Sequence, residues 1–257
     1  GSFNEIGTEE VTNGDFSQEG SELVTNGDFA TDSDWTKGSN WTISGGSATS
    51  DGTDATSNLS QTISSFNGKS FLVEGNASNV TQGYVYVSLG GSDLQIVVNS
   101  NGAFRHYVNI SSGNSIFYIS GRNNFIGSID NVSVKEVGQD WIFAGSGANQ
   151  ATIGLNSAKI TSVDGNSYIG QNNVLVSGKN YKVTYTINST SGSSVLKMIT
   201  SLGLATVPTT VGTHTVYGTA TMTAFYIERV SNGMSATITD ISVKEVAQNW
   251  TVSDSDA

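Results

Sequence analysis

Polar and apolar residues alternate along many short segments of the chain. In residues 181–187, tyrosine, valine and isoleucine alternate with lysine and threonine, so an extended strand there buries one face and wets the other. Asn67-Gly68, Asn101-Gly102 and Asp51-Gly52 supply turn residues that tolerate positive φ. The pattern predicts an all-β protein without long helices. In the first half of the chain we expect strands at 23–24, 41–43, 59–63, 70–74, 84–89, 94–98, 104–110, 115–120 and 126–134.

The chain also repeats itself. Residues 129–141 return as residues 239–250, with Ile241 at the place of Val132, which gives a period of about 109 residues. A unit of that length matches one sandwich domain and is too long for a solenoid repeat. A second duplication lies near the N-terminus, where Val-Thr-Asn-Gly-Asp-Phe occurs at 11–16 and again at 24–29. These copies are about 13 residues apart, which leaves no room for a domain between them.

The repeats predict four segments. Residues 1–22 are acidic and poor in apolar side chains, which indicates an N-terminal linker or a lone strand. Residues 23–137 form a first module and residues 138–247 a second. Residues 248–257 are expected to start a truncated third repeat or to be an exchanged strand, because Asn249-Trp250 matches Asp140-Trp141.

The two ends of the chain carry further expectations. The chain begins Gly1-Ser2 without a methionine or a secretory signal, so we expect an excerpt of a longer protein, a processed form or a cloning scar. A strand left unpaired at either end would expose backbone donors and acceptors to the sheet edge of another chain. We therefore expect at least one terminus to dock onto a neighbouring module or subunit, which implies self-association.

Composition narrows the classes of partner. The 257 residues are 36% hydrophobic, with one proline and 30 glycines, which suits two domain cores joined by turns. A formal charge of −11 with only 11 Lys and Arg argues against nucleic acid and anionic membranes as partners. No apolar run reaches the roughly 18 residues of a membrane span, so we predict no membrane insertion. The absence of cysteine excludes disulfides, thiolate nucleophiles and thiolate metal ligands.

Three motifs of the first module resemble those of a known family. Leu-Val-Thr-Asn-Gly-Asp-Phe at 23–29 precedes Trp35 and Trp-Thr-Ile-Ser-Gly-Gly at 41–46, and Gly-Ser-Ile-Asp-Asn-Val-Ser-Val at 127–134 closes the module. Together they resemble the carbohydrate-binding-module-like jelly rolls of bacteriophage tail and virion proteins and of secreted polysaccharide-degrading enzymes. The resemblance implies two tandem antiparallel β-sandwich domains of the jelly-roll, galactose-binding-like type. The second module keeps only the closing motif, so a function tied to Asn-Gly-Asp-Phe is expected in the first.

The same resemblance implies a structural Ca²⁺ in the first module, held by Asp28 and Asp130. Asp130 shares its parity with Val132 and Val134, which puts its carboxylate on the inward face of a core strand, where it needs a cation or donors. The alternative is that both aspartates accept backbone N–H groups in Asx turns. Thr239 replaces Asp130 in the second module, so calcium is expected in the first.

A sugar site needs flat aromatic rings and planar polar side chains, since a sugar offers apolar faces and a rim of hydroxyls. Tyr84 and Tyr86 share one face of a strand, opposite Val85 and Val87, and are the best candidate pair for glycan binding. Trp35, in a polar loop, and Arg122 are the further carbohydrate-binding candidates. Further aromatic rings that could contribute are Trp41 and Tyr107 in the first module and Trp141, Tyr168 and Tyr217 in the second. Most of them are expected in the core, and Trp41 and Tyr217 are assigned to packing.

Catalytic motifs are weak in this sequence. His106 and His214 are its two histidines, they lie in different repeats, and no serine or cysteine elbow accompanies them. Carboxylate pairs for glycoside hydrolysis stay open, because the test is a separation in space.

The leading hypothesis is a non-catalytic virion-surface or extracellular protein, structural or adhesive, such as part of a phage tail, fibre or capsid exterior. It would bind a glycan or cell-surface polysaccharide and associate with itself or with other virion subunits. The alternative is an accessory carbohydrate-binding region of a secreted polysaccharide-degrading enzyme.

Overall fold

A computed structural model describes residues 6–63, 66–91, 96–110, 113–192, 195–229 and 233–246. It is nearly all β, with 65% strand and 2% helix, which confirms the predicted fold class. The chain divides into two compact units. One, the continuous unit, is Glu19–Gln139. The other, the split unit, combines the N-terminal residues up to Gln18 with the residues from Asp140 onward.

In chain order the first ten strands are β1 Ile6–Glu9, β2 Glu19–Glu22, β3 Thr36–Lys37, β4 Trp41–Ser44, β5 Ser47–Asp51, β6 Thr56–Thr62, β7 Lys69–Leu89, β8 Ile96–Val98, β9 Gly102–Ile110 and β10 Ile116–Val137. The following elements are β11 Ile142–Ala144, β12 Gln150–Gly154, β13 Ser157–Ser162, β14 Ser167–Gln171, β15 Asn180–Gly192, β16 Leu196–Met198, helix α1 Ile199–Leu202, β17 Leu204–Val207, β18 Gly212–Thr219, β19 Phe225–Arg229 and β20 Met234–Val246.

Two long antiparallel strands, β7 and β10, organise the continuous unit. Their pairing is interrupted by register shifts near Arg122 and Asp130, so each strand contributes to two sheets. Residues 84–89 and 116–122 form one sheet with β8, β6 and β3, which we call the tyrosine sheet. Residues 69–78 and 126–137 form the other with β9, β5, β4 and β2. One buried cluster of apolar side chains draws on both sheets, as in a sandwich core.

The split unit follows the same plan with more, shorter strands. One sheet has the order β12-β13-β20-β15-β18, with β1 along β20, and the other has the order β11-β14-β19-β16-β17. In β15 the predicted alternation holds, because Tyr181, Val183, Tyr185 and Ile187 are buried and the intervening side chains are only half-buried. Each unit therefore has its own core.

The N-terminal segment is not a linker or a lone strand, so that prediction is wrong for the described part of residues 1–22. Strand β1 pairs with β20, and the Ile241 backbone N–H donates to Gly14 O at 2.9 Å. Strand β2 pairs with β10 inside the continuous unit. The physical reason is that backbone pairing depends on a free sheet edge, which can belong to a strand far along the chain. The described N-terminal strand thus packs on its own chain.

Residues 248–257, predicted to begin a third repeat or to exchange as a strand, lie outside the described residues. Within the described part of the chain, no helix has the length and apolar character to cross a membrane.

Candidate functional site

The outer face of the tyrosine sheet brings together three of the predicted glycan-binding residues. Tyr84 and Tyr86 are half-buried on this face, while the alternating residues Val85 and Val87 are fully buried, as the pattern predicted. The two phenol rings form an edge-to-face pair with centroids 5.0 Å apart and an interplanar angle of 70°. Arg122, the cross-strand partner of Tyr84, places its guanidinium carbon 5.7 Å from the centroid of the Tyr86 ring. This is a cation–π geometry.

Neighbouring strands extend this face with polar groups that the sequence analysis missed. Ser120 lies opposite Tyr86 and donates its hydroxyl to Asn58 Oδ1 at 2.7 Å. On the other side of Tyr86, Val97 of β8 is 51% exposed. Tyr118 shares the parity of Ser120 on β10 and is half-buried. The face therefore carries tyrosine rings, a guanidinium, an amide and hydroxyls, a combination that suits both ring stacking and hydrogen bonding.

Two electrostatic features of this face concern Tyr84 and Arg122. A hydrogen bond with the Tyr86 side chain, together with desolvation, raises the pKa of the Tyr84 phenol, and the charge of Arg122 opposes this in part. Tyr84 therefore stays protonated at physiological pH. Arg122 forms no ion pair with a carboxylate among the described residues. A ligand would meet this guanidinium without competition from a protein carboxylate.

Trp35 does not belong to this face, and its prediction as a glycan-binding residue is wrong. Its side chain is only 8% exposed and packs against Phe29, with ring centroids 5.1 Å apart, and against Phe117 at 6.0 Å. The Trp35 indole N–H donates to Asn26 O at 3.0 Å. Burial of a large apolar ring with its N–H satisfied outweighs the polarity of the surrounding loop. Trp41 is also buried, as predicted.

In each unit, an Asn-Gly-Asp-Phe segment packs against the last strand and so attaches the N-terminal part of the unit to it. The Val132 backbone N–H donates to Gly27 O at 2.8 Å, and a Cβ at Gly27 would lie 1.9 Å from Val132 O, so only glycine fits. Gln61 binds the same segment, accepting from Thr25 N at 2.8 Å and donating to Thr25 O at 2.9 Å. Gln61 was missed because nothing in its own local sequence marks it.

The split unit contains the same arrangement. Phe16 packs on Trp141, with ring centroids 4.9 Å apart, and Gly14 meets Ile241 as Gly27 meets Val132. Gln171 accepts from Thr12 N at 3.0 Å and donates to Thr12 O at 2.6 Å. The expectation that the second module lacks Asn-Gly-Asp-Phe is therefore wrong, since residues 13–16 supply it.

Of the two predicted calcium ligands, Asp28 lies in a turn and Asp130 lies at a β-bulge of β10. Asp28 is exposed and its Oδ1 accepts from Ala30 N at 3.3 Å, which is the Asx turn named as the alternative. Asp130 is half-buried, and its two carboxylate oxygens accept from Asn131 N at 2.6 Å and Asn131 Nδ2 at 2.8 Å. The inward parity assigned to Asp130 is wrong, because a bulge with Asn131 at φ 51° reverses the alternation and buries Ile129 instead.

These hydrogen bonds give each aspartate a partner on the protein without an ion. Among the described residues, no three His, Cys, Asp or Glu side chains are grouped as metal ligands. Asp15 in the split unit makes the same kind of turn, accepting from Ser17 N at 3.2 Å, although Thr239 stands where Asp130 does. The turn thus forms without a second carboxylate. Calcium binding by Asp28 and Asp130 stays a prediction.

The remaining candidates lie in the split unit or on other strands. Tyr168 and Tyr226 form a second edge-to-face pair with centroids 5.1 Å apart. Tyr217 is 62% exposed, so its assignment to packing is wrong; it lies on the water-facing side of β18. His106 is exposed in the continuous unit, whereas His214 contacts Tyr185 in the split unit. The two histidines thus belong to different units.

Comparison with known proteins gives distant likenesses only. No protein-family profile and no curated protein matches the chain. Among solved structures, the CBM22-1–CBM22-2 tandem domain of Paenibacillus barcinonensis Xyn10C is similar with a TM-score of 0.35 and 11% identity over 89% of this chain and 99% of that one. Allantoicase from Saccharomyces cerevisiae has a TM-score of 0.28 and 9% identity over 75% and 78%. A chain of Sulfolobus turreted icosahedral virus has a TM-score of 0.24 and 12% identity over 83% and 60%. TM-scores this low carry no argument about function.

Proposed function

We propose that this protein is a non-catalytic glycan-binding protein whose ligand lies on the outer face of the tyrosine sheet. The observation that supports this best is the cluster of Tyr84, Tyr86 and Arg122, in which two phenol rings and an unpaired guanidinium meet on one exposed face. The described residues of this face, on β6, β7, β8 and β10, include no carboxylate that would serve as a hydrolytic acid or base.

The chemistry of the face suits a sugar. The Tyr86 ring offers its apolar surface to the C–H groups of a pyranose, and the Asn58 amide group and Arg122 offer hydrogen bonds to its hydroxyls or carboxylate. A stacked aromatic ring contributes about 0.5–1.5 kcal/mol beyond area burial. With so few anchors we expect millimolar to micromolar affinity, which corresponds to about −4 to −8 kcal/mol.

The protein is proposed to act outside the cell, as a structural or adhesive element of a virion surface such as a phage tail, fibre or capsid exterior. Serine, threonine and asparagine dominate its water-facing strand positions, which gives a wettable face with few charges. Self-association and contact with other virion subunits stay predictions. Flanking sequence would discriminate this role from an accessory region of a polysaccharide-degrading enzyme.

The test is a glycan array followed by calorimetric titration of the best acidic and neutral polysaccharides. Tyr86→Ala should weaken binding by at most about tenfold, because one stacked ring is lost. Tyr107→Ala is the matched control: Tyr107 also lies beneath an arginine, with Arg105 Cζ 5.8 Å from its ring centroid, but on β9 in the other sheet. Absence of binding across a broad array, or an equal loss in both variants, would contradict the proposal.

A further inference from the structure

Two lysines face each other across adjacent strands of the split unit. Lys182 on β15 and Lys244 on β20 are direct cross-strand partners, and both are half-buried. In the next row, Thr184 lies opposite Ser242. These four side chains line a cleft of about 150 Å³ on the outer face of the sheet. The cleft thus combines two ammonium groups with two hydroxyls.

Neither lysine is held in a direct ion pair. Among the described residues, Lys182 and Lys244 form no ion pair with a carboxylate. Glu9 is the cross-strand partner of Lys244, but its carboxylate accepts from Val243 N at 2.6 Å and from Ser242 Oγ at 2.5 Å. Glu245 pairs with Lys179 at 3.2 Å. Both carboxylates thus direct their oxygens at other donors, and Glu9 keeps its negative charge at the edge of the cleft.

In the continuous unit, the lysine at the corresponding position forms an ion pair with a carboxylate. Lys135 occupies the repeat position of Lys244, and its ammonium group pairs with Glu19 at 2.9 Å. Ile6 stands where Glu19 does when the two N-terminal repeats are aligned. The cross-strand partner of Lys135 is Leu72, whereas that of Lys244 is Lys182. The split unit therefore has one cation more and one carboxylate fewer at this position.

The two facing lysines lower the stability of the sheet when no anion is bound between them. Like charges directly opposite each other on a sheet are destabilising, and a chain of formal charge −11 has few cations to place in pairs. An oxyanion between the two ammonium groups would replace repulsion with charge-assisted hydrogen bonds. Tyr217 is the cross-strand partner of Lys182 on its other side and is 62% exposed, so an aromatic ring lies beside the cleft.

We propose that the Lys182–Lys244 cleft is a second ligand site, which binds a sulfate ester or carboxylate carried on a glycan, with the adjoining sugar ring against Tyr217. The site lies in the split unit and does not depend on the tyrosine sheet. Thr184 donates a further hydrogen bond to the bound oxyanion, whereas Ser242, whose O–H is donated to Glu9, only lines the cleft.

The test uses the full chain and titrates dextran sulfate, carboxymethyl-dextran, neutral dextran and inorganic sulfate by calorimetry at low salt. Wild-type protein should bind a charged dextran. The double variant Lys182→Gln with Lys244→Gln should lose about tenfold or more in affinity, since two charge-assisted contacts are lost. Lys159→Gln with Lys197→Gln removes the same charge elsewhere in the split unit and should change affinity by less than about twofold. Thermal melting should show the Lys182/Lys244 variant to be at least as stable as wild type.

Several results would overturn the site. Equal losses of affinity in the two double variants would show that only the overall charge matters. If neutral dextran binds as tightly as dextran sulfate, the oxyanion has no role in binding. Tyr217→Ala should weaken dextran sulfate but not inorganic sulfate. If inorganic sulfate matches dextran sulfate per sulfate group, the sugar contact is wrong. Tyr86→Ala should leave this binding unchanged, which separates the failure of either site from that of the other.

Discussion

In the continuous unit, Trp35 donates its indole N–H to Asn26 O across nine residues of chain, and in the split unit Trp141 donates to Asn13 O across 128 residues. The bonds are 3.0 and 2.9 Å long, and each tryptophan packs on the phenylalanine of its own Asn-Gly-Asp-Phe segment. Two nearly identical arrangements are thus built from one local and one distant pairing.

Along the chain, the continuous unit is inserted between two parts of the split unit, at the place where the continuous unit itself has a short loop. In the continuous unit, residues 30–34 connect Phe29 to Trp35, whereas in the split unit Glu19–Gln139 separates Phe16 from Trp141. Surface loops tolerate long insertions, since the entropy of loop closure grows only slowly with length. The geometry of the opening segment is kept because its contacts are set by packing, not by the length of the connection.

The largest expected effect comes from deleting residues 1–18. This removes β1 together with the buried Val11 and Phe16, so the split unit loses an edge strand and part of its core. We expect the thermal transition of the split unit to disappear in scanning calorimetry and that of the continuous unit to persist, because the core of the continuous unit is local.

The reciprocal deletion is the control. Removing residues 140–257 should leave the continuous unit folded, with its melting temperature nearly unchanged. If two transitions remain after the loss of residues 1–18, the N-terminal strand is dispensable. The split unit would then not depend on its opening segment as we infer.

A smaller effect is expected from removing either tryptophan. Trp35→Ala and Trp141→Ala each delete a buried ring and an indole hydrogen bond, which should lower the stability of the affected unit by about 3–5 kcal/mol. Chemical denaturation followed by fluorescence and circular dichroism would measure this. Each variant should shift only the transition of its own unit. A Trp141→Ala variant that destabilised only the continuous unit would contradict the assignment of Trp141.

The two asparagines should respond unequally. Asn26 Nδ2 donates to Thr31 O at 2.8 Å and to Ser33 O at 3.0 Å, whereas Asn13 Nδ2 is buried without a hydrogen-bond partner among the described residues. Both residues have positive φ, so glycine removes the amide without backbone strain. Asn26→Gly should cost about 1–3 kcal/mol more than Asn13→Gly in urea unfolding of the respective unit. Equal costs would show that the loop of residues 30–34 adds nothing.

The features that the sequence predicted correctly depend on residues that are close together along the chain. Alternation located most strands of the continuous unit, although residues 23–24 form no strand and β2, β3 and β5 were missed. The shared parity of Tyr84 and Tyr86 placed both on one face. Parity failed at Asp130, because the bulge at Asn131 shifts every following side chain to the opposite face. A bulge is set by cross-strand pairing, which the local pattern does not record.

The sequence also showed both copies of Asn-Gly-Asp-Phe but not which strand each copy packs against. The first copy was assigned to a linker or a lone strand because residues 1–22 are acidic and poor in apolar side chains, yet Gly14 packs against Ile241, far along the chain. Hydrophobic pattern fixes which strands can form, and the choice of pairing partner depends on three-dimensional contacts such as that of Gln171 with Thr12. Burial of Trp35 in a polar loop has the same origin.

The smallest effect is expected from calcium removal, and it tests whether the two units differ in chemistry as well as in connectivity. Asp28 in the continuous unit and Asp15 in the split unit make matching Asx turns, while Asp130 is replaced by Thr239. If the turns explain both aspartates, chelation should leave both melting temperatures unchanged, and Asp130→Asn should have a similarly small effect in the presence and absence of calcium. If Asp28 and Asp130 bind Ca²⁺, chelation should lower the melting temperature of the continuous unit alone, by mass-action linkage, and Asp130→Asn should abolish that difference. Calorimetry with and without a chelator distinguishes the two, and the hydrogen bonds of Asp130 to Asn131 favour the unchanged result.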